Sequence, residues 1–421
     1  MDHEEPPRQV PKMVVSQSLT DLPQNTILEI LARLPLKALY ASRCVCKTFL
    51  NLSSPNPQFI ALHSSSNASQ ALVIQFGDDV KPSKFLRWID PEIDVARGRT
   101  PYFRLKPIFE VPEIWRRNMN IYRTNIRYEN EFVVVNSCNG LLYIAKQRSS
   151  SDERSVVCNP VTNEYVMVPN VDMRNKPLSE TRMMMLGYTP GTNQYKVLRI
   201  FYTTNGEDLE VRAQVHVVGS SSWRDIEDRP LGIDHSWDAC PFYLNGAIYW
   251  LSYLEMFTVV ISFDFERERF DIIMLPPEFG EEQLRNKNGL GIGVLRDRLC
   301  VTNNVYNHHL DIWIMKKHDN EECWSKEFVI DTERPMGRRF YGQLRPLQVL
   351  SNGEIVMLWL DIDVVCYDPK NKSLKLVGFN WPRLHPKVVG FTPNFVPLKD
   401  TLLVDKVMVQ YVRPSGDEMD L

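Results

Sequence analysis

No stretch of the 421-residue chain approaches the ~20 consecutive apolar residues that a membrane-spanning helix requires. The N-terminus (Asp2, His3, Glu4, Glu5, Pro6, Pro7) lacks the apolar core of a secretory signal. Net charge is almost missing: 49 Lys+Arg face 52 Asp+Glu, a balance of −3. A near-neutral chain has no global electrostatic attraction for nucleic acid, so neither nucleic acid nor membrane is an expected partner. None of the eight cysteines forms a CxxC, and most sit in apolar runs where a thiol behaves as a small hydrophobe. That usage is expected of a reduced protein of the cytoplasm and/or nucleus. The sequons Asn67-Ala68-Ser69 and Asn371-Lys372-Ser373 then carry no weight. Catalytic signatures such as Gly-x-Ser-x-Gly and His-Glu-x-x-His are absent. Gly289-Leu290-Gly291-Ile292-Gly293 precedes a strand and lacks the Gly-Lys-Ser ending of a phosphate loop, so it reads as a crowded turn. His308-His309 has no cysteine or carboxylate at ligand spacing and reads as a surface loop. No metal, cofactor or catalytic activity is expected.

Two apolar patterns follow one another. From about residue 20 to 60 the spacing is helical. From residue 71 it becomes short β-branched and aromatic runs, such as Ala71–Phe76, Phe132–Val135 and Val356–Leu360. The expected division is a solvated tail at 1–17, a helical module at 18–63, a polar linker at 64–70, a β-domain at 71–412 and an acidic tail at 413–421.

The β-rich part hides a repeat. A tight turn leads into an apolar strand at Asn139-Gly140, Asn193-Gln194, Asn245-Gly246, Asp297-Arg298 and Asn352-Gly353. The intervals between them run from 52 to 55 residues. Asn-Gly suits a type I′ hairpin because both residues tolerate positive φ. About twenty residues later a second strand runs into Asn159-Pro160, Asp264 or Asp368-Pro369. A period near 50 with about four short strands is the pattern of a kelch-like β-propeller. Five repeats cover 120–385. Strands near 71–76 and 102–110, with Val388–Phe391 and Leu402–Val412, are left to complete or close a ring of six blades. The expected fold is therefore multidomain α + all-β.

In the helical module Asp21 is a candidate N-cap and Pro23 a first-turn residue. Ile27, Leu28, Ile30, Leu31 and Leu34 recur with helical spacing. Pro35 stops that helix, and apolar residues continue through Leu52. Between Leu22 and Leu52 only Glu29, Arg33, Lys37, Arg43 and Lys47 are charged. So apolar a set of short helices, in a module of ~40 residues, must bury a second face on something else. The polar linker favours a partner protein over the β-domain.

The stretch from Leu19 to Ile60 resembles an F-box of the plant type: it opens with Leu22-Pro23, ends its first helix with Leu34-Pro35 and closes with Arg43-Cys44-Val45-Cys46-Lys47. Phe49 stands where the family usually has Trp. The downstream part is similar to the F-box-associated region of the same family. Its marks are Ser137-Cys138-Asn139-Gly140-Leu141-Leu142, Asn159-Pro160-Val161-Thr162-Asn163, Leu186-Gly187-Tyr188-Thr189-Pro190, Ser222-Trp223-Arg224 and Leu244–Leu251. The resemblance implies a substrate-recognition subunit of a Skp–cullin–F-box ubiquitin ligase. Leu22, Pro23, Ile27, Leu28, Leu31, Leu34, Pro35, Leu39, Val45 and Phe49 would divide between the Skp-adaptor interface and the module's own core. The β-domain would bind an unidentified protein target. An alternative is a kelch-like scaffold or ligand-binding propeller acting outside a ligase.

For target capture, residues 95–127 carry eight basic residues against Glu110 and Glu113, interleaved with Tyr102, Phe103, Trp115 and Tyr122. Trp115, Arg116 and Arg117 are candidate contacts for an acidic target, as are Arg338 and Arg339.

Overall fold

The computed structural model describes residues 19–34, 36–53, 56, 58–59, 62–63, 71–77, 82–94, 109–110, 132–146, 154–170, 179–205, 208–230, 241–254, 257–285, 287–305, 308–318, 321–332, 342–360, 363–377, 387–393, 395–402 and 409–411. The chain divides into two compact units, Met1–Ala68 and Ser69–Leu421.

The first unit contains a 3-10 turn, Leu19–Asp21, and three short helices: α1 (Gln24–Ala32), α2 (Leu36–Arg43) and α3 (Lys47–Ser53). The cap of α1 is Pro23 (φ −54, ψ 142), with no side-chain capping bond. Asp21 lies in the 3-10 turn instead, which corrects the expectation that it caps the helix. The extended backbone of Pro23 pushes the first helical residue to Gln24. At the other end the Arg33 N–H donates to the Ile30 carbonyl and the Leu34 N–H to the Leu31 carbonyl, closing the helix.

The second unit is a six-bladed β-propeller, and the blade count agrees with the repeat spacing. Blade one holds β1 (Ala71–Gly77), β2 (Pro82–Ile89) and β3 (Phe109–Glu110). Blade two holds β4 (Phe132–Cys138), β5 (Leu141–Lys146), β6 (Ser155–Asn159) and β7 (Glu164–Val168). Blade three follows with β8 (Ser179–Thr189), β9 (Gln194–Asn205), β10 (Asp208–Val217) and β11 (Arg224–Asp225). Blade four has β12 (Phe242–Leu244), β13 (Ala247–Leu254), β14 (Phe257–Asp264) and β15 (Arg269–Ile273). Blade five has β16 (Leu290–Leu295), β17 (Arg298–Asn303), β18 (His309–His318) and β19 (Glu321–Asp331). Blade six has β20 (Leu344–Val349), β21 (Ile355–Trp359), β22 (Asp363–Asp368) and β23 (Ser373–Val377).

The ring closes through β24 (Lys387–Phe391), which leaves blade six and becomes the innermost strand of blade one. It runs antiparallel to β1 with Ala71 opposite Phe391, Val73 opposite Val389 and Gln75 opposite Lys387. Val388–Phe391 thus closes the ring as the sequence suggests. The segment beyond it does not form one strand: Leu402 ends a helix, α4 (Leu398–Leu402), and β25 (Gln410–Tyr411) adds a fifth strand to blade two beside β7. Carboxamide and carboxylate side chains hold this return. Asn159 Nδ2 donates to the Val396 carbonyl at 3.0 Å, and the Leu398 N–H donates to Glu164 Oε2 at 2.7 Å.

The repeating turns connect the first and second strands of blades two to six. Positive φ occurs at Asn139 and Gly140, at Asn193, at Asn245 and Gly246, and at Gly353. In blade five the turn pair is Arg296 and Asp297, both at positive φ, one residue earlier than the pattern suggests, because Arg298 already pairs with Leu295. The later turns repeat in alternate blades. Asn159, Asp264 and Asp368 each accept a hydrogen bond from an N–H two residues on. The fourth residue after each (Asn163, Glu268, Lys372) has positive φ. These side chains satisfy turn amides that no strand reaches.

The apolar cores lie between neighbouring blades. Leu72, Ile74, Ile89 and Val388 of blade one meet Leu350, Val356, Leu358 and Val364 of blade six. Met185, Leu198 and Ile200 of blade three likewise meet Ile248, Trp250 and Phe263 of blade four. Each fully buried large side chain contributes roughly 1.5–3 kcal/mol. The glycine-rich segment belongs to this packing and is not a turn: Gly291 and Gly293 lie inside β16. A Cβ on Gly291 would stand 2.5 Å from the Leu344 carbonyl oxygen, and one on Gly293 would overlap the Pro346 carbonyl. Glycine lets the innermost strand of blade five lie directly on that of blade six. Thr302 Oγ1 then donates across the same junction to the Leu344 carbonyl at 2.5 Å.

Two buried carboxamides bridge neighbouring blades elsewhere. Gln75 Nε2 donates to the Phe132 carbonyl at 2.7 Å, while the Val134 N–H donates to Gln75 Oε1 at 2.8 Å. Asn136 Nδ2 donates to the Leu186 carbonyl at 2.8 Å, and the Leu186 N–H returns a bond to Asn136 Oδ1 at 3.0 Å. Each side chain thus replaces a missing strand pairing between blades. Gln75→Ala or Asn136→Ala leaves one buried N–H and one buried C=O unmatched, an expected loss of roughly 2–4 kcal/mol in urea unfolding. The exposed Lys375→Ala is expected to stay within about 0.5 kcal/mol of the parent.

Candidate functional site

In the helical unit the geometry sorts the apolar residues into two groups. At 100° per residue, Ile27, Leu28, Leu31 and Ala32 fall within roughly 140° of the α1 surface, and all four are buried. Leu39, Leu52 and Phe59 are buried as well. Ile30 lies about 60° beyond the edge of that arc and is 43% exposed. Leu19 (63%), Leu22 (38%), Val45 (71%) and Leu50 (39%) are also exposed. A large aliphatic residue that its own unit leaves uncovered gains free energy only when something else covers it.

Of the candidate docking residues, Ile27, Leu28, Leu31 and Leu39 therefore build the core of the unit. Leu22, Pro23 and Val45 are exposed, Leu34 and Phe49 are half-buried, and Pro35 lies outside the described residues. Leu19, Ile30 and Leu50 are exposed apolar residues that the sequence reading did not single out. Only Ile30 had a legible signal, its angular distance from the other α1 aliphatics. The Glu29–Arg33 pair at 3.8 Å is exposed on both sides and contributes little.

The break between α2 and α3 presents Val45 between Cys44 and Cys46. The Cys44 and Val45 amides are bonded to the Ala41 and Ser42 carbonyls, and the Phe49 N–H donates to Cys46 Sγ at 3.5 Å. This tight turn leaves the Val45 side chain outward.

On the propeller, the basic and aromatic stretch with Trp115, Arg116 and Arg117 lies outside the described residues, as do Arg338 and Arg339. His309 does not sit in a loop: it opens β18 and places Nε2 3.7 Å from Asp311 Oδ1. The loop reading overlooked Asp311, two positions along the same strand.

Blades are also tied at their outer parts. Trp223 Nε1 donates to the Pro169 carbonyl at 2.7 Å, and Trp324 Nε1 does the same to Met274 at 2.7 Å. In both cases the acceptor follows the fourth strand of the preceding blade. Between blades three and four, Lys196 Nζ donates to the Phe265 carbonyl at 2.9 Å and to Glu268 Oε1 at 3.0 Å. Arg224 grips both oxygens of Glu268 at 2.6 and 2.7 Å. Burial works to raise the Glu268 carboxyl, but the bonds from Arg224 and Lys196 outweigh it and hold it below the ordinary carboxylate range.

The chain thus combines a unit of short helices that leaves aliphatics uncovered with a six-bladed propeller. The chain belongs to the F-box associated beta propeller domain family, whose model matches residues 108–389, and an F-box domain model matches residues 19–58. F-box protein At3g07870 of Arabidopsis thaliana is 25% identical over 411 residues, covering 87% of this chain and 90% of that protein. F-box protein CPR1 of Arabidopsis thaliana is 24% identical over 387 residues, covering 85% and 84%. TolB from Acinetobacter baumannii aligns over 80% of this chain and 73% of its own, with 9% identity and a TM-score of 0.39, a likeness too slight to support an argument.

Because the Glu268 carboxyl is depressed, its contribution to stability is full above the ordinary carboxylate range and fades as pH falls through its folded value. Glu268→Ala leaves the buried Lys196 with one acceptor and is expected to cost roughly 1–3 kcal/mol at neutral pH. Urea titrations should show the gap to the parent protein narrowing below pH ~4.

Proposed function

We propose that this protein is the substrate-recognition subunit of a Skp–cullin–F-box ubiquitin ligase. The observation that carries the reading is the F-box at residues 19–58 with its uncovered aliphatics, on the same chain as a propeller built for recognition. Leu22, Pro23, Ile30, Val45 and Leu50 supply the apolar contacts to the Skp adaptor, with Leu34 and Phe49 at the margin. Buried aliphatics inside a polar rim are what a stable interface needs. Through the adaptor the chain joins the cullin core.

The subunit makes and breaks no bonds itself. It holds a target protein so that a lysine on the target stays at high effective concentration near the charged ubiquitin carrier. Target capture belongs to the propeller, with Trp115, Arg116, Arg117, Arg338 and Arg339 as first candidates for an acidic target. The cytoplasm and nucleus are the compartments this role requires.

Val45→Asp and Ile30→Asp test the docking assignment in the full chain. Both should weaken retention by a purified Skp-type adaptor more than tenfold while leaving the melting temperature unchanged. Leu31→Asp should lose both properties, because it puts a charge into the core. Undiminished adaptor binding by Val45→Asp and Ile30→Asp would remove the docking reading and favour a free-standing scaffold.

A further inference from the structure

We draw no further inference here: the strongest candidate, the cavity of about 230 Å³ in blade five beside Phe279 and the Asp311–Trp313 face of β18, carries nothing because the unmatched Asp311 Oδ1 and Trp313 Nε1 are closed off from it and nothing in the structure shows what fills it.

Discussion

The propeller depends on one pairing, that of Lys387–Phe391 with Ala71–Gln75. Blades three to six each receive their strands from one stretch of chain, and blade two adds only the two-residue β25 to its own four. Blade one takes its innermost strand from the far end of the propeller, with Gln75 opposite Lys387 in the closing ladder. Without that ladder, blades one and six would each expose an apolar face now shared in their common core. The ring would also present open strand edges, the usual liability of an unclosed sheet. Closure makes the inter-blade junctions a cycle in which each supports the next.

Within that cycle the junctions are not built alike. At blades five and six, glycines on β16 let two backbones touch. At blades one and two, and two and three, Gln75 and Asn136 fill a wider gap with a carboxamide that offers a donor and an acceptor in the geometry of a peptide group. At blades three and four the outer rim is held by the Lys196–Glu268–Arg224 cluster. The helical unit follows the opposite rule. Its core uses one arc of α1 and leaves Ile30, Val45 and Leu50 outward, stable enough to fold yet not self-sufficient in covering its apolar surface.

Much of this was legible beforehand. The interval of 52 to 55 residues between tight turns located five blades, because a hairpin with positive φ admits few residue types. The Asn159, Asp264 and Asp368 turns were visible for the same reason. The break at Pro35 and the helical spacing from Ile27 to Leu34 were likewise local. What escaped depended on distant partners. Asp297-Arg298 was framed one residue late because the pairing of Leu295 with Arg298 fixes that turn. The glycines of β16 looked like a turn because the strand of blade six that requires them lies some fifty residues on. Gln75 and Asn136 looked like ordinary strand polar residues, and Asp311 and Trp313 gave no sign of sharing a cavity.

The amino-acid sequence by itself determined the helical module, the strand-rich repeat, their order and the family, since these rest on periodicity and turn chemistry within a few residues. Only the tertiary structure decided which aliphatics of residues 19–58 face outward and which build the core. It alone decided that the last innermost strand belongs to the first blade, and that buried carboxamides and glycines meet their surroundings as they do. Burial and hydrogen-bond partners are properties of neighbours in space, and a ring brings together residues that the chain keeps hundreds of positions apart.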